Sequence, residues 1–434
     1  MTTAARTARL TADGPGTAAR WPPAIWALLA GTLVIRALGF AYPFLSYRAA
    51  ELGFTPAGVG RVLAVWGVGM LVGTLLCGWL ADRIGRRRAL VGAMLVAAVA
   101  FPLLAGAESV AGVLVLVLLA GVCYDAPRPI VSAVVADVIV TESGRARVNS
   151  ARHLAVGGLG PALAGGAAGL LAPRVGLQAL FWIHGAACLF FAVLGLLFMD
   201  YGPSPASRRS VPGLRGGYRA ALADRRLWLL SVASLCALTC ASGIYSAVPI
   251  LMASDGLDAA AFGWVQVANG AAVVAVTPAL TPWLARRAAH PKPMLGPLAA
   301  SSAVLGAGMG IAGIVSTTAG YSVAVVLVVP GEIGLIVAAS DVLTRMSPAH
   351  ARGLYAGIWG SSLAVSVIVS PLLASWALSA GGDVLVAVTT VSSGLLGAVL
   401  CWPLRARPHP DGTSTPVLEP TTATSALPGP FGKQ

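Results

Sequence analysis

Charged residues are scarce in this sequence. Only 10% of the 434 residues are Asp, Glu, Lys or Arg, and 57% are apolar, whereas a soluble domain carries about a quarter charged and under half apolar residues. These proportions exclude a soluble globular protein. Acidic residues are the scarcer kind, 16 against 29 Lys and Arg, which gives a net charge of +13. Because the basic residues lie in short segments between apolar runs, we expect them to orient a membrane protein, and we expect no nucleic-acid partner.

Motifs of several enzyme classes are missing as well. The six cysteines lie in apolar stretches without CxxC or Cys/His spacing, so no metal site and no cofactor are predicted. No GxxxxGK[ST] motif is present, so ATP is not expected to act directly. An intramembrane enzyme, such as a lipid-modifying transferase, would need clustered acids or a His/Ser/Cys set, and the acids here are scattered. We therefore expect a protein that is not an enzyme.

Long apolar runs are abundant instead. Twelve of them reach the length of about 20 residues that a helix needs to cross a bilayer. They predict an all-α membrane protein with twelve transmembrane helices, the lipid bilayer being its partner. Spans 1 to 12 are predicted at residues 24–46, 58–81, 89–107, 111–138, 153–172, 177–199, 227–252, 261–284, 294–315, 319–343, 353–379 and 382–403.

The spans divide the chain into two halves. A polar tail at 1–23 precedes a six-helix bundle at 24–199, and a basic linker at 200–226 leads to a second six-helix bundle at 227–404. The tail at 405–434 is rich in Pro, Thr and Ser and is expected to be disordered. Both tails are expected on the cytoplasmic side.

The distribution of Lys and Arg supports that orientation. With the N-terminus taken as cytoplasmic, 24 of the 29 fall on the cytoplasmic side, and three, Arg48, Arg61 and Arg174, lie at or near the outer face. The positive-inside rule then predicts an even number of spans, with both termini in the cytoplasm and the protein in the cell (inner) membrane. We expect a monomer.

The two halves also repeat each other. AGVGRVLAVWG at 57–67 matches AAFGWVQVANG at 260–270, and WLADR at 79–83 matches WLARR at 283–287. Corresponding spans are an even number apart and cross the membrane in the same direction, so the repeat is a parallel duplication. It predicts two pseudo-symmetric bundles.

The segment that ends span 2 reads Gly78-Trp79-Leu80-Ala81-Asp82-Arg83-Ile84-Gly85-Arg86-Arg87-Arg88. It resembles, at every signature position, the GxLaDrxGrkx motif of the major facilitator superfamily, and the six-plus-six plan extends the resemblance up to the C-terminal tail. Gly78 and Gly85 suit a close helix approach and a tight turn. Asp82 can accept hydrogen bonds from the free N–H groups of a neighbouring helix start.

The resemblance implies the major facilitator fold, alternating access and a conformational latch formed by Gly78, Asp82, Arg83, Gly85, Arg86 and Asp137. In the family the motif carboxylate faces the start of span 11, here the Gly353 region. A motif arginine pairs with an acid at the inner end of span 4, here Arg86 with Asp137. The alternative is that the arginines only set topology.

The second half carries an incomplete copy of this motif. Arg286 stands where the first half has Asp82. We therefore expect Asp341 to pair locally with Arg286 or Arg287, in a structural role.

Span 5 contains a second motif, Gly160-Pro161 followed by Gly165-Gly166. It resembles, in part, the antiporter motif of the drug/proton antiporter branch, although the expected upstream glycines are missing and the spacing differs. The branch's arginine in span 4 is absent as well, because Gly121 falls there. The motif indicates export, and the alternative is that small residues serve close helix packing.

Four ionisable residues fall near the middle of predicted spans: Arg36 in span 1, Asp125 and Arg128 in span 4, and Glu332 in span 10. A charge at mid-bilayer costs on the order of 2.5 to 3.5 kcal/mol and must face protein or water. In the superfamily, spans 1, 4, 7 and 10 line a central cavity, so all four are expected there.

Glu332 is the first choice for proton coupling, because it has no cation nearby in sequence, and Asp125 is the second. Asp125 and Arg128 are spaced i, i+3 and can also neutralise each other. Purely structural ion pairing is the alternative for both acids. Arg36 is either the cation that tunes one of these acids or an anchor for an anionic substrate.

Other residues expected in the substrate cavity are aromatic or neutral and polar: Tyr42, Tyr124, Tyr245, Gln266, Asn269 and Trp359. Such a lining suits a lipophilic or weakly cationic small molecule. The predicted function is therefore proton-coupled efflux of small lipophilic compounds such as drugs or antibiotics, with protons as the coupling partner. The alternative is proton-coupled uptake of a metabolite, sugar or peptide, in which Arg36 would bind a substrate carboxylate.

Overall fold

The structure is a computed structural model that describes residues 21–139, 145, 148, 152, 156, 159–199, 221–348 and 351–405. The regular elements of these residues are all helices. The α-helices are α1 Pro23–Ala37, α2 Ala41–Glu51, α3 Pro56–Ile84, α4 Arg86–Ala105, α5 Val110–Tyr124, α6 Pro127–Val138, α7 Gly160–Phe198, α8 Arg225–Ser242, α9 Ala247–Ser254, α10 Ala259–Ala288, α11 Leu295–Ala312, α12 Thr318–Met346 and α13 Arg352–Leu400. Most of both predicted tails, and most of the predicted linker, lie outside the described residues.

The described residues include ten helical spans that are long and apolar enough to cross a membrane. In this count α1 and α2 together form one span, and α5 and α6 together form another. Two of them are hairpins. The α7 segment reverses at Gly176, whose φ is 77°, and α13 reverses at Gly381 and Gly382, where Gly382 has a φ of 64°. A positive φ is accessible to glycine without steric cost. The described chain therefore makes the twelve predicted crossings.

Three spans are interrupted in the middle. Span 1 breaks between α1 and α2, and span 7 breaks at the 3₁₀ turn Gly243–Tyr245 between α8 and α9. Span 4 breaks between α5 and α6, at Asp125 and Ala126. Span 10, which is α12, continues through Pro330. Interrupted spans leave backbone polar groups free at membrane depth, which is tolerated where they line a cavity.

The two membrane faces of the fold differ in charge. One face, called the basic face below, carries Arg83 and Arg86 between α3 and α4 and Arg286 at the end of α10. The opposite face carries acids, among them Glu51 at the end of α2 and Asp258 before α10. This asymmetry agrees with the predicted distribution of charge.

The two halves of the chain pack tightly near the face opposite the basic one. A Cβ added to Gly263 of α10 would lie 2.6 Å from the carbonyl oxygen of Gly165 in α7, so the two backbones are in contact. A Cβ added to Gly60 of α3 would lie 2.8 Å from the carbonyl oxygen of Pro371 in α13. Small residues allow this approach of helices.

An aromatic cluster closes the same region. Phe44 of α2 meets Phe262 of α10 edge to face, with ring centroids 5.4 Å apart, and Tyr47 lies 6.0 Å from the same ring. Phe44 and Phe262 are at most 1% exposed. These rings join the first half of the chain to the second and exclude water from this end of the interface.

The halves separate toward the basic face. A Cβ added to Gly78 of α3, or to Gly357 or Gly360 of α13, would have no neighbouring atom within 4 Å. Polar side chains inside the spans are exposed there, such as Ser132 of α6 and Ser361 of α13. The contacts between the halves therefore concentrate at the face that carries Glu51 and Asp258, called the acidic face below, and the open positions indicate a cavity between the halves toward the basic face.

Candidate functional site

The closed end of the cavity carries a buried ionic cluster at the break of span 4. Arg36, in the last turn of α1, donates a hydrogen bond of 2.6 Å to the hydroxyl of Tyr124. Its other terminal nitrogen lies 3.4 Å from a carboxylate oxygen of Asp125. The guanidinium also lies over the Tyr124 ring, 4.6 Å from its centroid. A cation at a helix C-terminus interacts favourably with the free carbonyl groups there.

A second arginine completes the cluster. Arg128 lies 2.6 Å from the other carboxylate oxygen of Asp125. This i, i+3 pair was predicted from spacing, and the bend before Pro127 does not prevent it. The Asp125 side chain is 6% exposed, the Arg36 side chain 19% and the Arg128 side chain 39%. Asp125 is thus a buried carboxylate held by two guanidinium groups, and Arg128 extends from it toward the open end.

A third arginine lies beside this cluster and was not predicted as part of it. Arg152 donates a hydrogen bond of 2.7 Å to the hydroxyl of Ser132 on α6. It lies within electrostatic range of both Arg128 and Asp125. Sequence reasoning counted Arg152 only among the arginines that set orientation. Its position before span 5 gave no signal that it faces the cavity.

Glu332 has a different environment. It lies in the unbroken α12 and is half-buried. Among the described residues it makes no hydrogen bond and no ion pair with a cation. Tyr245, at the break of span 7, lies within electrostatic range of both Glu332 and Arg36. The four mid-span charges are therefore divided: three form one cluster, and among the described residues Glu332 forms no ion pair with any of them.

The second half also contributes neutral polar groups. Gln266 and Asn269 of α10 are 2% and 0% exposed. The Gln266 amide nitrogen donates a hydrogen bond of 3.4 Å to the carbonyl of Ile244 in the span 7 break. The Gln266 oxygen makes no hydrogen bond of ordinary geometry with described residues, and the Asn269 amide lies beside the Tyr245 hydroxyl. Trp359 is half-buried and donates to the Ser234 hydroxyl at 3.0 Å.

Tyr42 lies in an aromatic wall. Its ring is 5.4 Å from Trp66 and 6.5 Å from Tyr124, and its hydroxyl has no hydrogen-bond partner among the described residues. His184 stacks on Phe101 at 4.0 Å and accepts a hydrogen bond from the Ala41 amide, so it packs rather than faces the cavity. Tyr42 and the buried amides of Gln266 and Asn269 therefore place polar groups among apolar side chains at the closed end.

The structure describes part of the predicted latch. Asp82 is exposed and makes no hydrogen bond or ion pair with described residues. Arg86 donates a hydrogen bond of 2.7 Å to the carbonyl of Ala133 at the inner part of span 4. The side chain of Asp137 and the Gly353 region lie outside what the structure describes. The latch stays a prediction.

Two details of the motif can be compared with the structure. Gly85 has the positive φ of 92° that a tight turn between α3 and α4 requires. Gly78 makes no close helix approach, because space around it is open. The close approach predicted for Gly78 is therefore wrong in this conformation, in which spans 2 and 11 meet near the other face.

The partner predicted for Asp341 is wrong. Asp341 pairs with Arg345, four residues later on α12, at 2.8 Å, and accepts a hydrogen bond of 3.0 Å from the Met294 amide. Arg345 also donates to the carbonyls of Ala288, His290 and Pro291. The i, i+4 partner on the same helix is closer than either loop arginine. The role is structural, as expected, and fixes the loop between α10 and α11.

The glycine motif of span 5 serves helix packing. Gly160 and Pro161 begin α7, where a proline needs no hydrogen-bond partner for its nitrogen. Gly165 lies against Gly263 and Gln266 of α10. The packing alternative is thus confirmed, while a role in export is not tested by this contact.

The sequence profile of the Major Facilitator Superfamily matches residues 27–340. The chain belongs to this superfamily, and ten of its described helices are long and apolar enough to cross a membrane.

Three transport proteins are similar in sequence to parts of this chain. The chain is 27% identical over 175 residues to the cis,cis-muconate transport protein of Acinetobacter baylyi, covering 40% of this chain and 42% of the relative. It is 35% identical over 152 residues to an uncharacterized MFS-type transporter of Mycobacterium tuberculosis, covering 34% and 35%. The inner membrane transport protein YajR of Escherichia coli is 26% identical over 242 residues, covering 55% and 52%. The chain thus matches about a third to a half of each relative.

Solved structures agree in fold. A crystal structure of the POT family transporter PepTSo matches with a TM-score of 0.71 at 17% identity, covering 90% of this chain and all of that chain. A POT family transporter in complex with a thioalcohol conjugated peptide matches with a TM-score of 0.70 at 12% identity, covering 88% and 94%. These matches show the fold. The relatives do not support the drug/proton antiporter branch.

Proposed function

We propose that this chain is a proton-coupled transporter that exports small lipophilic compounds by alternating access, with Glu332 as the proton site. The observation that carries the proposal is the isolation of Glu332. It is the mid-span acid that has no ion-pair or hydrogen-bond partner among the described residues, in a cavity that opens to one face. Such an acid can bind a proton from one side of the membrane and release it to the other.

Asp125 is less suited to this role. Its carboxylate contacts two guanidinium groups, at 3.4 and 2.6 Å. Protonation would leave these cations without a counter-ion in a poorly hydrated place, which is costly. Asp125 therefore holds the cluster together, while Glu332 is free to change its charge.

The lining supports a lipophilic solute. Tyr42, Tyr124 and Tyr245 present rings at the closed end, and the buried amides of Gln266 and Asn269 present polar atoms. Pockets for small molecules combine such apolar walls with a few polar groups that fix orientation. The basic face would be cytoplasmic by the positive-inside rule, so the structure would correspond to the state that admits solute from inside the cell.

Uptake of a carboxylate-bearing metabolite is the second candidate. The surplus of arginine around Asp125 favours it, and so does the likeness to a muconate transport protein. In that case Glu332 would carry the proton inward together with the solute. The direction of the proton relative to the solute distinguishes the two candidates.

The test is transport by the full-length protein in proteoliposomes with an imposed pH gradient. A panel of lipophilic dyes and aromatic acids is the probe, and an internal pH indicator reports proton movement. The wild-type protein should move a probe against the direction of proton flow, and a protonophore should abolish the effect. Movement of probe and proton in the same direction would establish uptake instead of export.

Glu332→Gln is the decisive variant. It should bind the probe and exchange it across the membrane, yet lose proton-driven accumulation, because the amide cannot carry a proton. Glu108→Gln is the matched control, since Glu108 is an exposed acid just before α5. Full proton-driven transport by Glu332→Gln would reject the assignment of the proton site.

A further inference from the structure

Among the described residues, the positive charges near α6 and Arg152 outnumber the negative ones. Arg36, Arg128 and Arg152 lie around one carboxylate, Asp125. Arginine keeps its charge in proteins. The described cluster therefore has three cations and one anion, and Glu332 stands too far apart to form an ion pair with any of them.

The surplus is concentrated at Arg128 and Arg152. Asp125 forms ion pairs with Arg36 and Arg128 through its two oxygens, and among the described residues it forms none with Arg152. The Arg152 guanidinium is instead held by a neutral partner, the Ser132 hydroxyl, at 2.7 Å. Partial burial and the neighbouring Arg128 both lower the pKa of Arg152. The guanidinium groups of Arg128 and Arg152 thus lie near each other, and among the described residues Asp125 is the one carboxylate that balances them.

The position of the pair is accessible. The Arg128 side chain is 39% exposed, and Ser132 is exposed on the surface that faces the open end of the cavity. Each guanidinium has five N–H donors in a planar fork, which matches the two oxygens of a carboxylate. The α6 helix also begins at Pro127, so its positive N-terminal end lies beside Arg128.

We propose that Arg128 and Arg152 form a binding subsite for the carboxylate of a small organic acid that enters from the basic face. The Ser132 hydroxyl positions Arg152, since it accepts a hydrogen bond from Arg152 and donates one of 2.9 Å to the Arg128 carbonyl. This inference rests on the proposed transport function and narrows its solute to lipophilic acids. Arg152 would act directly on the solute, in addition to any effect on membrane orientation. A bound carboxylate would supply the negative charge that the cluster lacks.

Binding to the purified full-length protein in detergent tests the subsite separately from transport. The probes are benzoate and cis,cis-muconate, each compared with its uncharged amide, and isothermal titration calorimetry measures affinity. At least one acid should bind more tightly than its amide by roughly 10-fold or more, because the amide cannot form the charge-assisted pair. Equal affinity of acids and amides, or no binding of either acid, would overturn the inference.

Two variants and a control assign the effect. Arg152→Gln keeps a donor for Ser132 but removes the charge, and it should weaken acid binding by roughly 10- to 100-fold. Arg152→Lys should restore part of the affinity. Arg286→Gln, an exposed arginine on the same face, should bind acids as the wild type does. Unchanged binding by Arg152→Gln would overturn the assignment.

A lipid headgroup is the other source of an anion at this place. Nanodiscs with and without phosphatidylglycerol separate the two. Binding of acids that is the same in both supports a soluble solute, whereas occupation by phosphatidylglycerol that excludes both acids would contradict the proposal. If acids bind but Glu332→Gln still shows proton-driven transport, the subsite stands and the proposed proton site fails.

Discussion

The two halves of the duplicated chain treat charge in the membrane differently. In the first half, span 4 is broken at Asp125, and the acid is neutralised by Arg36 and Arg128. In the second half, span 10 continues through the corresponding depth and carries Glu332 without a charged partner among the described residues. Spans 1 and 7, by contrast, are broken in both halves. The duplication is preserved in the backbone, while the charges have diverged.

The difference separates two tasks. A paired acid holds helices together at the expense of titration, and an unpaired acid remains free to exchange protons but contributes nothing through ion pairing. The proposed function therefore assigns a fixed ionic cluster to the first half and the proton site to the second half. The predictions below test whether the two halves really behave so differently.

The largest effect is expected for Asp125. Replacement by alanine leaves two guanidinium groups without a counter-ion, which should cost about 3 to 5 kcal/mol of stability. Glu332→Ala removes an acid that has no ionic partner and should change the free energy of unfolding by less than about 1 kcal/mol. Unfolding of both variants in mixed micelles measures the contrast. Equal losses at the two positions would show that Glu332 has a structural partner after all.

An intermediate effect is expected at the contact that closes the acidic face. Gly263→Val would force side-chain atoms against the Gly165 and Gly169 backbone, and overpacking of this kind costs about 1 to 3 kcal/mol. The penalty applies only to the conformation closed at that face, so the population should shift toward the other state. Distances between spin labels on spans 2 and 11 at the basic face should become shorter.

Gly78→Ala is the control for this shift. A Cβ at Gly78 meets open space in the present conformation, so the added methyl group should not destabilise it. If both glycine variants shift the spin-label distances equally, the closed contact does not control the conformation.

The smallest effect is expected where the two halves of the loop motif differ. Asp341→Asn weakens an ion pair with Arg345 and a hydrogen bond from the Met294 amide, a loss of about 1 kcal/mol. The loop between α10 and α11 should then exchange its amide hydrogens faster. Asp82→Asn should leave exchange in the α3–α4 loop unchanged in this conformation. Faster amide exchange after Asp82→Asn, together with unchanged exchange after Asp341→Asn, would contradict this comparison.

Much of the fold was predictable from the sequence. Hydrophobic length and the charges between runs located all twelve spans, because a bilayer imposes both constraints on every crossing. The repeat at 57–67 and 260–270 is also present in the structure, since α3 begins at Pro56 and α10 at Ala259, 203 residues apart in both cases. The mid-span breaks were harder to predict, because a glycine or proline permits a break without requiring one. Pro330, for example, leaves α12 unbroken.

The site was predictable only in part. Spacing identified the Asp125–Arg128 pair, since i, i+3 neighbours share a helix face. The approach of Arg36 to Tyr124 depends on how spans 1 and 4 pack, which local sequence does not determine. Arg152 was missed because an arginine at a span end satisfies the orientation rule whether or not it faces the cavity. The partner of Asp341 was wrong for a local reason: Arg345 lies one helical turn away.

The account depends most on Glu332 being an unpaired acid that takes up protons within the cavity. A lipophilic carbodiimide reacts with protonated carboxyl groups in such places, and mass spectrometry of the labelled full-length protein identifies the site. We predict that Glu332 is labelled, that labelling falls as pH rises because the carboxyl loses its proton, and that Asp125 stays unlabelled. Labelling of Asp125 in place of Glu332 would contradict the account.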